Sequence, residues 1–127
     1  MPVLDFSKPI IMGVLNVTPD SFSDGGAFLD SQKALERVQQ MIREGADIID
    51  IGAESTFGPE AKISAEEEWG RLKPILSEID FDQIFISIDT HKSDVAEKTL
   101  RMGVQMINDV TAMRGDDRMI EVLLKHK

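Results

Sequence analysis

R-E-G-A-D-I-I-D (Arg43–Asp50) and R-M-G-V-Q-M-I-N (Arg101–Asn108) have the same layout. Each begins with arginine, passes through a glycine to an apolar pair and ends on a polar residue. Glycine is common just past the C-terminus of a helix, and short apolar runs are typical of buried strands. Each stretch therefore predicts a helix that ends near glycine and leads into a strand with a polar tip.

The same succession of strand, polar tip and helix is found four times along the chain. The predicted strands are Ile10–Leu15, Asp47–Ile51, Ile84–Ile88 and Met106–Ile107. The predicted helices are Ser31–Glu44, Ser64–Ser77, Ser93–Met102 and Asp117–Lys125. Alternating helices and nearly continuous apolar strands indicate an α/β fold with a parallel sheet, either doubly wound or a (β/α)8 barrel. No linker-like segment interrupts the pattern, so we expect residues 1–127 to belong to one domain.

The composition narrows the classes of partner. The net charge of −9 opposes binding to nucleic acid and to anionic membranes, and we expect neither as a partner. The absence of cysteine excludes disulfide scaffolds and cysteine-ligated zinc, and it fits a reducing compartment. We find no apolar run long enough to cross a bilayer and no secretory signal, so we expect a cytoplasmic protein.

Polar residues stand at the C-terminal ends of the four predicted strands. They are Asn16, Asp50, Asp89 with Thr90, and Asn108 with Asp109. The carboxyl ends of parallel strands lie on one face, where barrels place their active sites. The alternative is that these residues only cap the following helices. Their recurrence at the same end of each strand favours a site.

Three of these tips offer distinct chemistry. Asn16 presents a neutral oxygen to a hard cation, although asparagine is also common in turns. Asp89 needs a partner at the end of a buried strand, either a planar heterocycle with two donors or, alternatively, a salt bridge or a helix N-cap. Asn108 can present both a donor and an acceptor to a heterocycle. We expect His91 to lie outside the site, and Glu66–Glu68 to be a solvated helix start.

Two loops follow these strands and are rich in groups that bind anions. Asn16–Gly26, N-V-T-P-D-S-F-S-D-G-G, is long and polar, and such loops are either surface excursions or binding sites. Its hydroxyl groups and accessible backbone N–H groups suit an anion. The second loop, G-A-E-S-T, adds the hydroxyl groups of Ser55 and Thr56.

These motifs resemble those of one family, the dihydropteroate synthases. M-G-V-L-N-V-T-P-D-S-F-S-D-G-G is similar to the first signature of that family, and D-I-G-A-E-S-T is similar to the second. I-S-I-D-T and I-N-D-V fall where the third and fourth strands of the family carry D-T and N-D. The resemblance runs from about Ile10 to the end of the chain. It implies a (β/α)8 TIM barrel, of which this chain covers about the first four βα units.

The resemblance also implies an activity. Dihydropteroate synthases are transferases that condense 6-hydroxymethyl-7,8-dihydropterin diphosphate with 4-aminobenzoate, giving 7,8-dihydropteroate and diphosphate for folate biosynthesis. The resemblance implies Mg²⁺ as the cofactor, a homodimer, and inhibition by sulfonamides. The alternatives are a pterin-binding methyltransferase domain and an inactive half-barrel fragment.

Site residues are carried over from the family one by one. Asn16 resembles the magnesium ligand, and Thr56 resembles the hydroxyl group on the diphosphate. Asp89 and Asn108 resemble the pair that recognises the pterin. In the first loop, Phe22 and Asp24 lie where the family closes over 4-aminobenzoate, and we expect both of them to act in catalysis.

The chain departs from the family pattern in two places. A closed barrel takes about 250 residues, so we expect the 127 residues alone to be inactive and to aggregate, remain partly molten or dimerise. The second loop of the family usually reads E-S-T-R-P-G, whereas this sequence reads E-S-T-F-G-P. We therefore expect R-P-G to be missing between Thr56 and Phe57, and the end at Lys127 to have a similar origin.

Overall fold

Strands and helices alternate along the chain, as the sequence predicts. The computed structural model describes residues 2–18, 27–55 and 62–127, and for residues 27–30 only the backbone. The strands are β1 (Met12–Asn16), β2 (Ile48–Gly52), β3 (Phe85–Asp89) and β4 (Met106–Asn108). The helices are α1 (Ala27–Arg43), α2 (Ala65–Leu76), α3 (Ser93–Met102) and α4 (Met119–Lys125). Among the described helices, none is both long and apolar enough to span a membrane.

The four strands form one parallel sheet in the order β1-β2-β3-β4. Each strand therefore pairs with the next strand in sequence, and a helix connects them. Each strand ends one residue beyond its predicted end, because backbone pairing in the parallel ladder continues past the apolar run. α1 begins at Ala27, before the predicted start at Ser31.

The two faces of the sheet differ in their chemistry. One face carries apolar side chains such as Leu15, Ile51 and Ile88, which are buried in a single core. α1 packs on this face, since a Cβ atom on Gly13 would lie 2.6 Å from the sulfur of Met41. The opposite face carries the alternate residues, among them Asp50, Ser87 and Asp89. Val14 on this second face is 62% exposed, so the sheet does not bury both of its sides in the same way.

Glycine and serine end and begin the helices where the sequence predicts. Gly45 and Gly103 follow α1 and α3 with φ values of 101° and 118°. Residues with a side chain rarely adopt this left-handed conformation, so these positions favour glycine. At the start of α2 the Oγ atom of Ser64 accepts a hydrogen bond from the backbone N–H of Glu67 at 3.1 Å. This bond is one half of the predicted capping box, and the Glu67 side chain pairs instead with Arg71.

Candidate active site

Four residues form one row across the carboxyl ends of the strands. Asn16 pairs in register with Gly52, Gly52 pairs with Asp89, and Asp89 pairs with Asn108. Residues in one row of a sheet point to the same face, here the face opposite the core. The fold thus brings three predicted site residues together. The other three, Phe22, Asp24 and Thr56, lie outside the described residues, as does the predicted break at Phe57.

Gly52 leaves an opening in the middle of this row. A Cβ atom built on Gly52 would lie 3.4 Å from Oδ2 of Asp89 and 3.6 Å from Oδ1 of Asn16. The carboxylate and the amide oxygen therefore overhang the glycine from its two sides. A side chain at position 52 would occupy the space that these two oxygen atoms face.

Asp50 lies one layer deeper than the sequence analysis predicted. β2 continues to Gly52, so Asp50 is not its tip; it pairs in register with Ser87 and is only 4% exposed. Oδ2 of Asp50 accepts a hydrogen bond from Nδ2 of Asn108 at 3.1 Å. Within the described residues, Oδ1 of Asp50 and Oγ of Ser87 are buried without a hydrogen-bond partner. Because unpaired buried polar atoms are unfavourable, this layer has capacity for a further polar group.

Among the described residues, the Asp89 side chain caps no helix and forms no ion pair. The neighbouring Thr90 Oγ1 accepts the backbone N–H of Lys92 at 3.2 Å, and Oδ2 of Asp116 accepts that of Ser93 at 2.8 Å. In the described part of the chain, no hydrogen bond or ion pair involves the Asp89 side chain. The two alternatives for this residue are therefore not supported, and its carboxyl group is free to meet a ligand.

The surroundings of Asp89 favour its neutral form. Burial raises the pKa of the Asp89 carboxyl above its usual value of 3.8, and the nearby carboxylates of Asp50, Glu68 and Asp109 raise it further. His91 acts in the opposite direction but is the smaller influence. A ligand that donates hydrogen bonds to both oxygens of Asp89 would favour the ionised form.

Asp109, by contrast, has a structural role. Its carboxylate accepts the backbone N–H groups of Thr111 at 2.9 Å and Met113 at 3.0 Å. Ala112 and Met113 both have positive φ values, 53° and 66°, which residues with side chains adopt only when the surroundings support them. Asp109 thus stabilises the turn after β4, and it does not cap the following helix, α4, which begins only at Met119.

A second polar cluster is formed by residues that follow β2 and β3 in the chain and by one residue of α2. It is formed by Glu54, Glu68, His91 and Lys92, and is called the Glu54 cluster below. Lys92 Nζ lies 2.6 Å from Oε2 of Glu54 and 2.9 Å from Oε2 of Glu68. His91 Nε2 lies 2.9 Å from Oε1 of Glu54. Glu68 is only 1% exposed, so the prediction that all of Glu66–Glu68 is solvated is wrong for its last residue.

The Glu54 cluster predicts a specific loss of stability in acid. Burial opposes the ionisation of Glu54, but the hydrogen bonds from Lys92 and His91 outweigh it and lower its pKa from 4.5 to about 2. A lowered carboxyl pKa stabilises the fold above the unfolded value, and this contribution is lost as the pH falls from 4.5 toward 2. The full contribution is at most about 3 kcal/mol. Urea titrations at pH 6 and pH 3 should show a smaller acid loss for Glu54→Gln than for the wild type; equal losses would contradict the prediction.

A parallel sheet with polar side chains at the carboxyl ends of its strands is typical of α/β enzymes, which place their active sites there. Residues 12–127 match the sequence profile of the pterin binding enzymes, and the chain belongs to this family. Similar proteins include dihydropteroate synthases and folate synthesis bifunctional proteins. The dihydropteroate synthase of Neisseria meningitidis serogroup C is 44% identical over 124 residues, which cover 96% of this chain and 44% of that protein. The mitochondrial folate synthesis bifunctional protein of Pisum sativum is 48% identical over 132 residues, covering 97% and 26%.

A solved structure agrees with this assignment. The crystal structure of a dihydropteroate synthase from Clostridium difficile, obtained in the presence of pteroic acid, superposes with a TM-score of 0.88 and 46% sequence identity. The match covers 98% of this chain and 48% of that chain. The predicted fold, the first βα units of a TIM barrel, is thereby confirmed. The chain spans less than half the length of these relatives.

Proposed function

We propose that this chain supplies the pterin-binding and magnesium-binding part of a dihydropteroate synthase. The reaction is the condensation of 6-hydroxymethyl-7,8-dihydropterin diphosphate with 4-aminobenzoate to give 7,8-dihydropteroate and diphosphate. The proposal rests on Asp89, a half-buried carboxyl group at a strand tip. Among the described residues, its side chain has no hydrogen-bond or ion-pair partner and caps no helix. The identity of 44% to the meningococcal dihydropteroate synthase supports the same activity.

The pterin is recognised by Asp89 and Asn108, which lie side by side at the ends of β3 and β4. Asp89, when ionised, accepts hydrogen bonds only, and a carboxylate matches two parallel N–H donors on the edge of a planar heterocycle. Asn108 has one of its two amide hydrogens bonded to Asp50, which fixes the orientation of the amide group. Its second hydrogen and its oxygen are left to complement the remaining donor and acceptor of the ring.

Magnesium is the proposed cofactor, with Asn16 as its ligand from this chain. Among the described residues, no group of three His, Cys, Asp or Glu side chains could hold a metal. Mg²⁺ does not need such a group, because it commonly binds one or two protein oxygens together with the phosphates of the substrate. The oxygen of Asn16 at the Gly52 opening fits that donor set. When bound, the ion neutralises charge that develops on the departing diphosphate.

The chemical step follows from where these residues hold the substrate. Asp89 and Asn108 hold the ring, so the methylene carbon of the substrate is kept at a fixed position for the approach of 4-aminobenzoate. The amine of 4-aminobenzoate forms a C–N bond at this carbon, the C–O bond to diphosphate breaks with its electron pair, and the amine loses a proton to solvent. The resemblance assigns the diphosphate to Thr56 and the 4-aminobenzoate to Phe22 and Asp24, and these roles remain predictions.

The alternative interpretation is a pterin-binding methyltransferase domain. Such a domain would also use Asp89 and Asn108, but it would not need a diphosphate site. Asn16 at the end of β1, followed by the polar loop through Gly26, favours the synthase. We extend the proposal to a cytoplasmic homodimer that is inhibited by sulfonamides and uses only small-molecule substrates. The acidic, cysteine-free composition supports this location.

Replacing Asn16 by alanine tests the proposed function in the complete protein. We expect the wild type, when given both substrates and Mg²⁺, to release diphosphate from the pterin substrate. Asn16→Ala should weaken magnesium-dependent binding of the diphosphate by about tenfold, because one oxygen ligand is lost. Binding of 6-hydroxymethylpterin, which has no phosphate, should stay nearly the same. Calorimetry with each ligand gives both values, and an equal loss for the two ligands would show that the substitution damages the fold instead.

A further inference from the structure

A single carboxylate joins the two ends of the loop between β2 and α2. Glu54 lies two residues beyond the end of β2, and its Oε2 atom accepts the backbone N–H of Ile63 at 3.2 Å. Ile63 lies two residues before the start of α2 at Ala65. The side chain at one border of the loop is therefore bonded to the backbone at the other border.

The same carboxylate is fixed to two further elements. Its oxygen atoms contact His91 Nε2 at 2.9 Å and Lys92 Nζ at 2.6 Å, and Lys92 is bonded in turn to the buried Glu68 on α2. Arg71 on α2 donates a second bond, to the backbone oxygen of Ala53, at 2.9 Å. Charge-assisted bonds in partly buried surroundings are stronger and better oriented than bonds in water. The border at residues 53–54 is thus held from α2 and from the segment between β3 and α3.

These bonds connect the loop to the strand tip that carries Asp89. His91 and Lys92 follow Asp89 and Thr90 directly in the chain, and Thr90 Oγ1 accepts the backbone N–H of Lys92. Both oxygen atoms of Glu54 are already engaged by these partners, so the group acts on the site through its neighbours.

We propose that Glu54 is a positioning residue that holds the borders of the β2–α2 loop at a fixed place relative to the tip of β3. This inference rests on the proposed function, in which the resemblance assigns the diphosphate to Thr56, two residues beyond Glu54, while Asp89 binds the pterin. A substrate that spans both places needs them at a set separation. Small misplacement of one binding group lowers the yield of productive complexes strongly.

The test compares Glu54→Gln with a matched control, Glu97→Gln, in the complete protein. Glu97 also pairs with two cations, Arg101 and Lys125, but at the surface of α3 and α4. In Glu54→Gln the negative charge is lost, and a single oxygen remains to accept from His91, Lys92 and Ile63. We expect the KM for the pterin diphosphate to rise about tenfold or more. The KM for 4-aminobenzoate and the Kd for 6-hydroxymethylpterin should change by less than about twofold, and Glu97→Gln should change none of them.

A purely structural role would not produce this split between ligands. Equal increases for all three ligands, or no increase for the pterin diphosphate, would overturn the inference. Glu54→Asp is the second variant if Glu54→Gln does not fold, because it keeps the charge opposite Lys92 while withdrawing it from Ile63. We expect it to show the same selective rise in KM at about threefold.

Amide hydrogen exchange separates this inference from the proposed function. The exchange of the Ile63 N–H in the free protein should accelerate by about tenfold in Glu54→Gln and stay unchanged in Glu97→Gln. If the wild type fails to condense the two substrates, the proposed function is wrong. Unchanged exchange of the Ile63 N–H in Glu54→Gln would independently refute the link that Glu54 makes between the two borders of the loop. Faster exchange without the selective rise in KM would refute the positioning role.

Discussion

Asp89→Asn is expected to weaken the binding of 6-hydroxymethylpterin by about 100-fold or more in the complete protein. The carboxylate of the wild type accepts hydrogen bonds from both of its oxygens, whereas the amide turns a donor toward a ring edge that itself donates. One hydrogen bond is lost and a buried donor on each side is left without a partner. Unsatisfied groups of this kind cost a few kcal/mol, and about 1.4 kcal/mol corresponds to each factor of ten.

Calorimetry on Asp89→Asn and on a control, Asp47→Asn, gives the comparison. Asp47 precedes β2 at the opposite end of the strand, where its Oδ2 accepts the backbone N–H of Ile11 at 2.9 Å. Asp47→Asn removes the same charge at a place that does not contact the proposed site, so the affinity of this variant for the pterin should be unchanged. Normal binding by Asp89→Asn would mean that the strand tip does not recognise the pterin.

The pH dependence of binding gives a second readout of Asp89. Its pKa is raised above 3.8 by burial and by the carboxylates of Asp50, Glu68 and Asp109, against a smaller opposing effect of His91. Only the ionised group accepts two hydrogen bonds, so protonation competes with the ligand. Affinity should therefore fall about tenfold for each pH unit below the raised pKa and level off above it. Asp89→Asn should lack this dependence.

The fold was predictable from the sequence because its signals are local. α3 spans Ser93–Met102 as predicted, since its amphipathic repeat ends at Gly103, which adopts the left-handed conformation. The predicted strands are displaced at their ends because apolar runs mark burial, and backbone pairing extends beyond them. The position of Asp50 changes for this reason: β2 continues for two residues past the charge, so the charge becomes an inner residue.

The row of strand tips was predictable from the same rule, and the Glu54 cluster was not. Asn16, Asp89 and Asn108 meet because the carboxyl ends of parallel strands share an edge. Glu54, Glu68 and Lys92 come from different elements, and no spacing in the sequence relates them. Glu68 belongs to a run of three glutamates, but successive residues of a helix point about 100° apart, so the third one turns inward.

Replacing Lys92 by methionine is expected to have the largest effect on stability. Glu68, which is 1% exposed, would lose its described ion-pair partner, and Glu54 would lose the shorter of its two ion pairs. Removing one member of a buried ion pair costs about 3–5 kcal/mol, which is a large part of the 5–15 kcal/mol typical of whole domains. Urea unfolding of the complete protein at pH 7 measures the loss. Lys125→Met is the control, because its ion pair with Glu97 is exposed, and it should unfold like the wild type.

A second substitution distinguishes loss of charge pairing from loss of packing. The double variant Lys92→Met with Glu68→Leu removes the unpaired charge together with its partner, and an apolar replacement of both is often neutral. It should therefore recover most of the lost stability, and a double variant as unstable as Lys92→Met would mean that Lys92 stabilises the fold through the packing of its side chain.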